Sequence, residues 1–478
     1  MPQAPFPAPS RPLRPRSAAT VTLLLLPCIA LAFTGATEAD VPGTLACLGL
    51  AFAVYWSGCV ENRFQLDETR ILVLGLLMRA CLLPMPPSDD MHRFIWEGKI
   101  LAYGFNPFLA APSDPSLAAL RDANWALINH PDLPTLYPPV AQAFFFLLAK
   151  LGQSGLVFKL GFVVFDVLGF LVLRSIVRRK YPGVGPGAAH HNEVAVAREG
   201  AGAREGAVAR EGAGPPAATE APGAYIQALY FLNPLLIFEI AGRGHFESLP
   251  VFLNLIFLGA LMARKPWAPA ALGLGALAKI SSLALAPLLL FSLGWKRALL
   301  WGAALGAVVG GTLWVVGAFT VLGKFATRFH FNAAVPSLID AARPFLSEAA
   351  RRNLATLLFG LAVLLCLWFL RKAAPERQGL WFTGLLLLFS PTLHPWYLLW
   401  TLPFAALCVS RPWLLLTGTA LVSYEVYGRF HVTGLWQERA WLRLPEYLPP
   451  LALLLYLAWG KRRAARAIAA GTDARRSR

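Results

Sequence analysis

Five charged side chains crowd into the stretch SDDMHRFIWEGKILAYGFNPF, which follows closely on an apolar run ending at Met85. Asp89 and Asp90 stand side by side, Arg93 comes three residues after the second, and Glu97 lies further along the same segment. A carboxylate within hydrogen-bond reach of a hydroxyl can act as a general base. A carboxylate pair can also hold a divalent metal, which would need further oxygen ligands that the sequence does not single out, so the metal is left open. Other chemistry-bearing groups are scattered but alike in setting. In LNPLLIFEIAGRGHFESL an apolar run closes on Glu239 and is followed by Arg243, His245 and Glu247. Lys279 stands at the tip of a short apolar hairpin, and SPTLHPWYLLW carries His394, Trp396 and Tyr397.

Each group also has a structural role to weigh. Ser88, Asp89 or Asp90 can cap a helix that begins near Met91. Asp90, Arg93 and Glu97 share one helical face and can form an ion-pair row. Trp396 and Tyr397 suit an interfacial aromatic belt, and His245 and His394 can be ordinary loop histidines. Lys159, Asp166 and Arg174 fall in one apolar segment, where pairing with one another is a long reach across close to two helical turns; Arg174 is expected to be structural, and Lys159, near the segment's outer end, is left open. Neighbouring helical residues point in different directions. Only one of Asp89 and Asp90 is therefore expected to reach a given atom, with the other capping or orienting.

The elements that must position these groups are membrane helices. The chain is 56% hydrophobic and only 14% charged, and apolar runs recur from end to end, about fourteen by the length a bilayer requires. They fall near 19–36, 43–59, 70–85, 155–177, 224–241, 248–263, 268–280, 281–294, 298–321, 353–370, 379–393, 396–410, 413–427 and 446–460. The expected fold is therefore all-α: a polytopic integral membrane protein with about 13–14 transmembrane helices. Clusters such as Arg178-Arg179-Lys180, Lys296-Arg297 and Arg371-Lys372 place the N-terminus in the cytoplasm by the positive-inside rule. The net charge of +17 then reflects topology and anionic lipid, with no nucleic acid implied.

The expected organisation is a cytoplasmic tail over 1–18, three spans over 19–85, an extracytoplasmic loop over 86–154 and a span over 155–177. A cytoplasmic linker over 178–223, a C-terminal bundle over 224–460 and a basic tail over 461–478 follow. Residues 138–152 are read as a juxtamembrane helix, because a further crossing would carry Arg178-Arg179-Lys180 outside. The first helix, which resembles a signal sequence, is expected to be retained. The linker contains the repeat AREGAG-AREGAV-AREGAG from Ala197, too small and charged to bury a core. The six cysteines have neither disulfide nor metal spacing.

With this topology all the polar candidates face one side, outside the cytoplasm. No Gly-rich phosphate cradle follows a strand, and an outward-facing enzyme would need a group delivered by the membrane, for which a lipid-linked phosphate is the natural carrier. The order of SDDMHRFIWEGKILAYGFNPFLAAP, LYPPVAQAFFFLLAKLG, FKLGFVVFD, LNPLLIFEIAGRGHFESL, LGLGALAKISSLALAP and SPTLHPWYLLWTLPF resembles the GT-C membrane glycosyltransferases. It is most similar to the bacterial polyprenyl-phosphate-mannose-dependent mannosyltransferases and, more distantly, to the first mannosyltransferase of GPI-anchor assembly. Phe94 and Glu97 stand where that family often has tyrosine and aspartate.

The resemblance implies a large catalytic first outer loop and an inverting hexosyltransferase, with mannose as the expected sugar. The donor would be a polyprenyl-phosphate sugar, the acceptor a glycan or glycolipid hydroxyl, and the setting a bacterial plasma membrane. Asp90 would be the base and Asp89 its support. Arg93, Lys159, Arg243 and Lys279 would meet the donor phosphate, and Glu97, Asn106, His245, Glu247, His394, Trp396 and Tyr397 the sugars. No redox cofactor is implied. The alternatives are a transporter or flippase of lipid-linked saccharides, a lipid-linked oligosaccharide ligase, and a non-catalytic assembly subunit.

Overall fold

The computed structural model describes residues 17–34, 40–181, 222–319 and 329–476. The AREGAG repeat and nearly all of the expected linker lie outside the described residues, as does most of the N-terminal tail. Among the described residues the protein is all-α, with helices throughout and no strand beyond one isolated bridge between Phe331 and Thr392. It is a multi-pass membrane protein by the number and apolarity of those helices.

The first half comprises α1 (Ser17–Phe33), α2 (Val41–Tyr55), α3 (Glu68–Leu82), α4 (Asp89–Ala102), α5 (Pro139–Leu151) and α6 (Gly155–Lys180). Then come α7 (Pro222–Phe231), α8 (Pro234–Ile237), α9 (Ser248–Met262), α10 (Ala268–Ala278) and α11 (Pro287–Leu293). The remainder is α12 (Trp295–Leu305), α13 (Gly311–Val315), α14 (Val335–Asp340), α15 (Glu348–Leu370), α16 (Pro375–Phe389), α17 (Leu402–Leu407), α18 (Arg411–Thr419), α19 (Glu425–Thr433) and α20 (Arg443–Arg476).

Each expected apolar run has a helical counterpart, but few are unbroken spans. Among the described residues four segments are long and apolar enough to cross a membrane whole: Val41–Val60, Gly155–Lys180, Trp295–Val315 and Glu348–Leu370. A fifth is a pair bent by 47° at Asn233-Pro234. There the Asn233 side chain accepts the Leu235 N–H at 3.0 Å, and Pro234 has no N–H to continue the preceding helix. Proline and glycine at Pro287, Gly294, Pro395 and Pro403 shorten the others, and the last helix runs on to Arg476, into the residues expected as a basic tail.

Helices α3 and α6 run antiparallel and carry the buried charges. Asp166 accepts Arg79 Nε at 2.7 Å with both side chains all but sealed from solvent. Arg79 also donates to the carbonyls of Gly75 and Phe231 and lies 3.8 Å above the Phe231 ring. At one end of the pair Arg174 and Arg178 meet Glu68 at 2.8 and 2.5 Å. At the other end Lys159 donates to the carbonyls of Leu83 and Met85, where α3 stops. Lys159, Asp166 and Arg174 therefore do not pair with one another. They sit about two turns apart along one helix, too far to touch, and each fastens α6 to α3 instead.

The segment between α3 and α6 folds back on the bundle. Helix α5 packs along α4 and ends at Gly152, separate from α6. Phe94 stacks on Phe145 at 4.8 Å and meets Tyr137 and Phe246 edge-on at 5.1 and 5.3 Å. Aromatic pairs in these geometries add about 0.5–1.5 kcal/mol each beyond the area they bury. The aromatic nest thus fixes the loop to the turn before α9.

Candidate functional site

Two local features bring α4 against that turn. The π turn Phe238–Arg243 ends at Gly244, whose φ of +75° is left-handed, a conformation that costs any residue with a Cβ. A Cβ there would lie 1.8 Å from Met91 Cε, so glycine is required twice over. The Ser88 N–H donates to the Arg243 carbonyl at 2.8 Å. The first turn of α4 is thereby set against His245.

Asp89 and Asp90 occupy that first turn. The Asn129 amide donates to Asp89 Oδ2 and Asp90 Oδ1, both at 3.0 Å, and the Asp90 N–H donates to Asp89 Oδ1. The expectation that the two carboxylates diverge is thus corrected. Helix starts leave their N–H groups free, and Asn129 lies beyond the helix end, where adjacent side chains can both reach it. Ser88 holds the cap position without a side-chain cap bond.

Asp90 Oδ2 faces His245 Nε2 at 3.8 Å, outside hydrogen-bond range, and the Asp90 side chain is 24% exposed. His245 Nδ1 lies 2.8 Å from Glu239 Oε2, and Glu239 accepts the Tyr424 hydroxyl. The His245 N–H also donates to the Glu239 carbonyl at 2.8 Å. Burial lowers the affinity of His245 for a proton, but Glu239, Asp90 and Glu247 outweigh it and hold the ring's pKa above its ordinary value. Burial and the neighbouring Asp89 raise the Asp90 pKa, against the opposing pull of His245 and Asn129.

A column of rings continues from His245. Trp396 stacks on it at 4.0 Å, His394 stacks on Trp396 at 4.3 Å, and Phe331 follows at 4.6 Å. Burial, with the charges of His245 and Lys279 behind it, drives the His394 pKa down to about 3. Beside the column Lys279 pairs with Glu247 and points its ammonium at the rings of Phe246, Tyr397 and Trp400, 4.9–5.1 Å from their centroids. The second Glu247 oxygen is buried with no hydrogen-bond partner.

The structure therefore brings together Asp89, Asp90, His245, Glu247, Lys279, His394, Trp396 and Tyr397. Five other expected residues are engaged elsewhere. Arg93 pairs with Glu97 at 2.9 Å and donates to the carbonyls of Asn129, His130 and Leu133. Glu97 in turn accepts from Thr135 and Gln142 at 2.8 and 2.5 Å, so this pair is a buried clamp for the loop. Its surface ion-pair row with Asp90 does not form, since Arg93 turns away toward Glu97. Lys159 holds the end of α3. Asn106 is exposed in a turn, accepting the Phe108 N–H at 2.9 Å. Arg243 lies 5.9 Å from the Tyr427 ring, behind Glu239 and Tyr424.

Asn129, Glu239 and Tyr424 are the members that sequence reasoning left out of the site. A carboxylate closing an apolar run was a signal for Glu239; Asn129 and Tyr424 carry none. No group of three or more His, Cys, Asp or Glu side chains among the described residues is arranged to hold a metal.

The family model of PIG-U, described as a GPI transamidase subunit, matches residues 136–370, just under half of the 478 residues. No curated protein matches, and no solved structure matches. The match keeps a link to GPI-anchor machinery but overturns the expected hexosyltransferase. The family it points to is described as a subunit of GPI transamidase and not as a hexosyltransferase. The likeness to mannosyltransferases therefore reaches no further than a membrane protein of related setting.

Proposed function

We propose that this protein binds the saccharide head group of a lipid-linked glycan in the cleft between α4 and the ring column, as one subunit of a membrane assembly. The observation that carries the reading is the convergence of Asp89, Asp90, His245, Glu247 and Trp396, from three distant segments, at one end of the bundle. Carboxylates that accept hydroxyl hydrogen bonds beside a stacked ring face are what a sugar requires. The matched family, a GPI transamidase subunit, supports a glycolipid-handling role within a complex. The Lys/Arg distribution supports an extracytoplasmic placement of the cleft.

The test is binding. The full chain in lipid nanodiscs would be titrated with a prenyl-linked hexose and, separately, with the same lipid lacking the sugar, following the fluorescence of Trp396 against a Trp396→Phe control. Saccharide-dependent binding that weakens tenfold or more in Asp90→Asn is expected. Equal binding of both lipids would overturn the reading. Net movement of the lipid across the bilayer would instead favour a flippase.

A further inference from the structure

We infer that, whatever the cleft binds, the opposite end of the bundle holds anionic phospholipid head groups on three adjoining turns. Helices α9, α10 and α16 each have a cleft residue at or just beyond one end, namely Glu247, Lys279 and His394, and a basic turn at the other. The α9–α10 turn bears Arg264 and Lys265, and the α11–α12 junction bears Lys296 and Arg297. The α15–α16 turn bears Arg371 and Lys372, with Arg377 in the first turn of α16. These side chains are exposed, and none has an ion-pair partner among the described residues. The turns adjoin because α10 packs on α12 and α16 packs on both α11 and α15, with Phe291 stacked on Phe382 at 6.4 Å.

Nothing in the chain balances this charge. Glu376 is the one carboxylate in the three turns, and it is buried and taken by Lys180 at the end of α6. The α2–α3 turn, at the same end, is a contrast: Glu61, Asp67 and Glu68 are paired there with Arg63, Arg70, Arg174 and Arg178. Each unbalanced basic pair also has a tryptophan beside it. Trp267 follows Arg264-Lys265, the Lys296 ammonium lies 5.5 Å from the Trp295 ring, and the Arg371 guanidinium lies 4.2 Å above Trp368. The three indoles are 49%, 65% and 63% exposed. Tryptophan settles at the head-group level of a bilayer, and a lysine or arginine at that level attracts anionic lipid. A lipid suits this surface better than an acidic protein segment, because the spans meeting two of these turns have few protein neighbours. Trp295–Val315 is 17% buried and Glu348–Leu370 6%. Acyl chains against those spans put their head groups where the cations are.

The experiment offers the full chain in detergent equal amounts of a phosphatidylglycerol and a phosphatidylcholine with the same acyl chains, and counts bound lipid by native mass spectrometry. The anionic lipid is expected to be retained about fivefold over the zwitterionic one, with added salt weakening the preference. A variant combining Arg264→Gln, Lys265→Gln, Lys296→Gln and Arg297→Gln should lose at least half of that preference at an unchanged melting temperature, since these side chains have no ion pair to lose. Lys265→Arg with Lys296→Arg keeps the charge and should keep the preference. Arg63→Gln with Arg70→Gln, at the balanced turn, should leave it unaltered. Equal retention of the two lipids by the wild-type protein would overturn the inference, as would an undiminished preference in the fourfold variant. A lower melting temperature in that variant would show the cations to be committed to the fold and would overturn it too. Displacement of the anionic lipid by a polyglutamate peptide would assign the surface to an acidic protein segment instead.

Discussion

Replacing Arg93 by methionine separates a loop clamp from a phosphate ligand. The Arg93 and Glu97 side chains are 4% and 2% exposed, so solvent screens their attraction little. Truncating one member of such a pair leaves the other buried and uncompensated, at a cost of about 3–5 kcal/mol. Arg93→Met would also free the carbonyls of Asn129, His130 and Leu133, and Asn129 is the residue that holds Asp89 and Asp90. The damage should therefore appear as detachment of the 115–137 segment, read by hydrogen exchange and limited proteolysis in nanodiscs, together with a lower melting temperature.

A double variant makes the reasoning refutable. Glu97→Gln keeps the shape and removes the charge, so Arg93→Met with Glu97→Gln should fall short of the sum of the single losses by about 1–3 kcal/mol, the coupling of groups in direct contact. Additive losses would sink the clamp. So would an Arg93→Met protein with wild-type stability and loop protection but no affinity for phosphate-bearing lipid, since that is the behaviour of a ligand contact.

Three further outcomes follow from the same geometry. Gly244→Ala should cost about 1–2 kcal/mol for its left-handed backbone alone, plus the clash with Met91; Gly244→Ala with Met91→Ala should cost less than the sum of the two in thermal unfolding. Arg79→Met should destabilise by about 3–5 kcal/mol, while Arg79→Met with Asp166→Leu recovers most of that loss, measured by melting in the same nanodiscs; an unrecovered double variant would refute the pairing. The imidazoles of the column should act with opposite signs. The pKa of His245 is raised in the fold, so its contribution is complete below the unfolded value and is lost as pH rises through the folded one. That of His394 is depressed to about 3, so its contribution is present above the unfolded value near 6.5 and is lost as pH falls toward 3. Stability-versus-pH curves should lose the alkaline limb in His245→Gln and flatten on the acid side in His394→Gln.

The legible part of the molecule was what depends on local pattern. Apolar runs located the long helices but neither α14 nor the bend at Asn233-Pro234, which falls inside a run expected as one span. Eight of the chosen site residues meet because helix direction places their segments at one end of the bundle. Partner choice was not legible. Asp90, Arg93 and Glu97 share a helical face, yet Arg93 turns to Glu97 because three carbonyls of a loop more than thirty residues away complete its donor set. Asn129 and Tyr424 are unremarkable in sequence and join the site only through tertiary contacts. Residue types also overstate cations: Arg93 and Lys159 are charged, but their hydrogen-bond capacity is already directed at backbone.

The loop that carries Asp89 and Asp90 is fixed by contacts within the chain. Three independent ties cross from the loop to the bundle: the Ser88–Arg243 backbone bond, Met91 beneath Gly244, and Phe94 against Phe246. Within the loop, the Arg93–Glu97 clamp sets the segment that delivers Asn129 to both aspartates. The loop clamp should therefore matter through the geometry it gives Asp89 and Asp90, and not through a charge offered to a ligand.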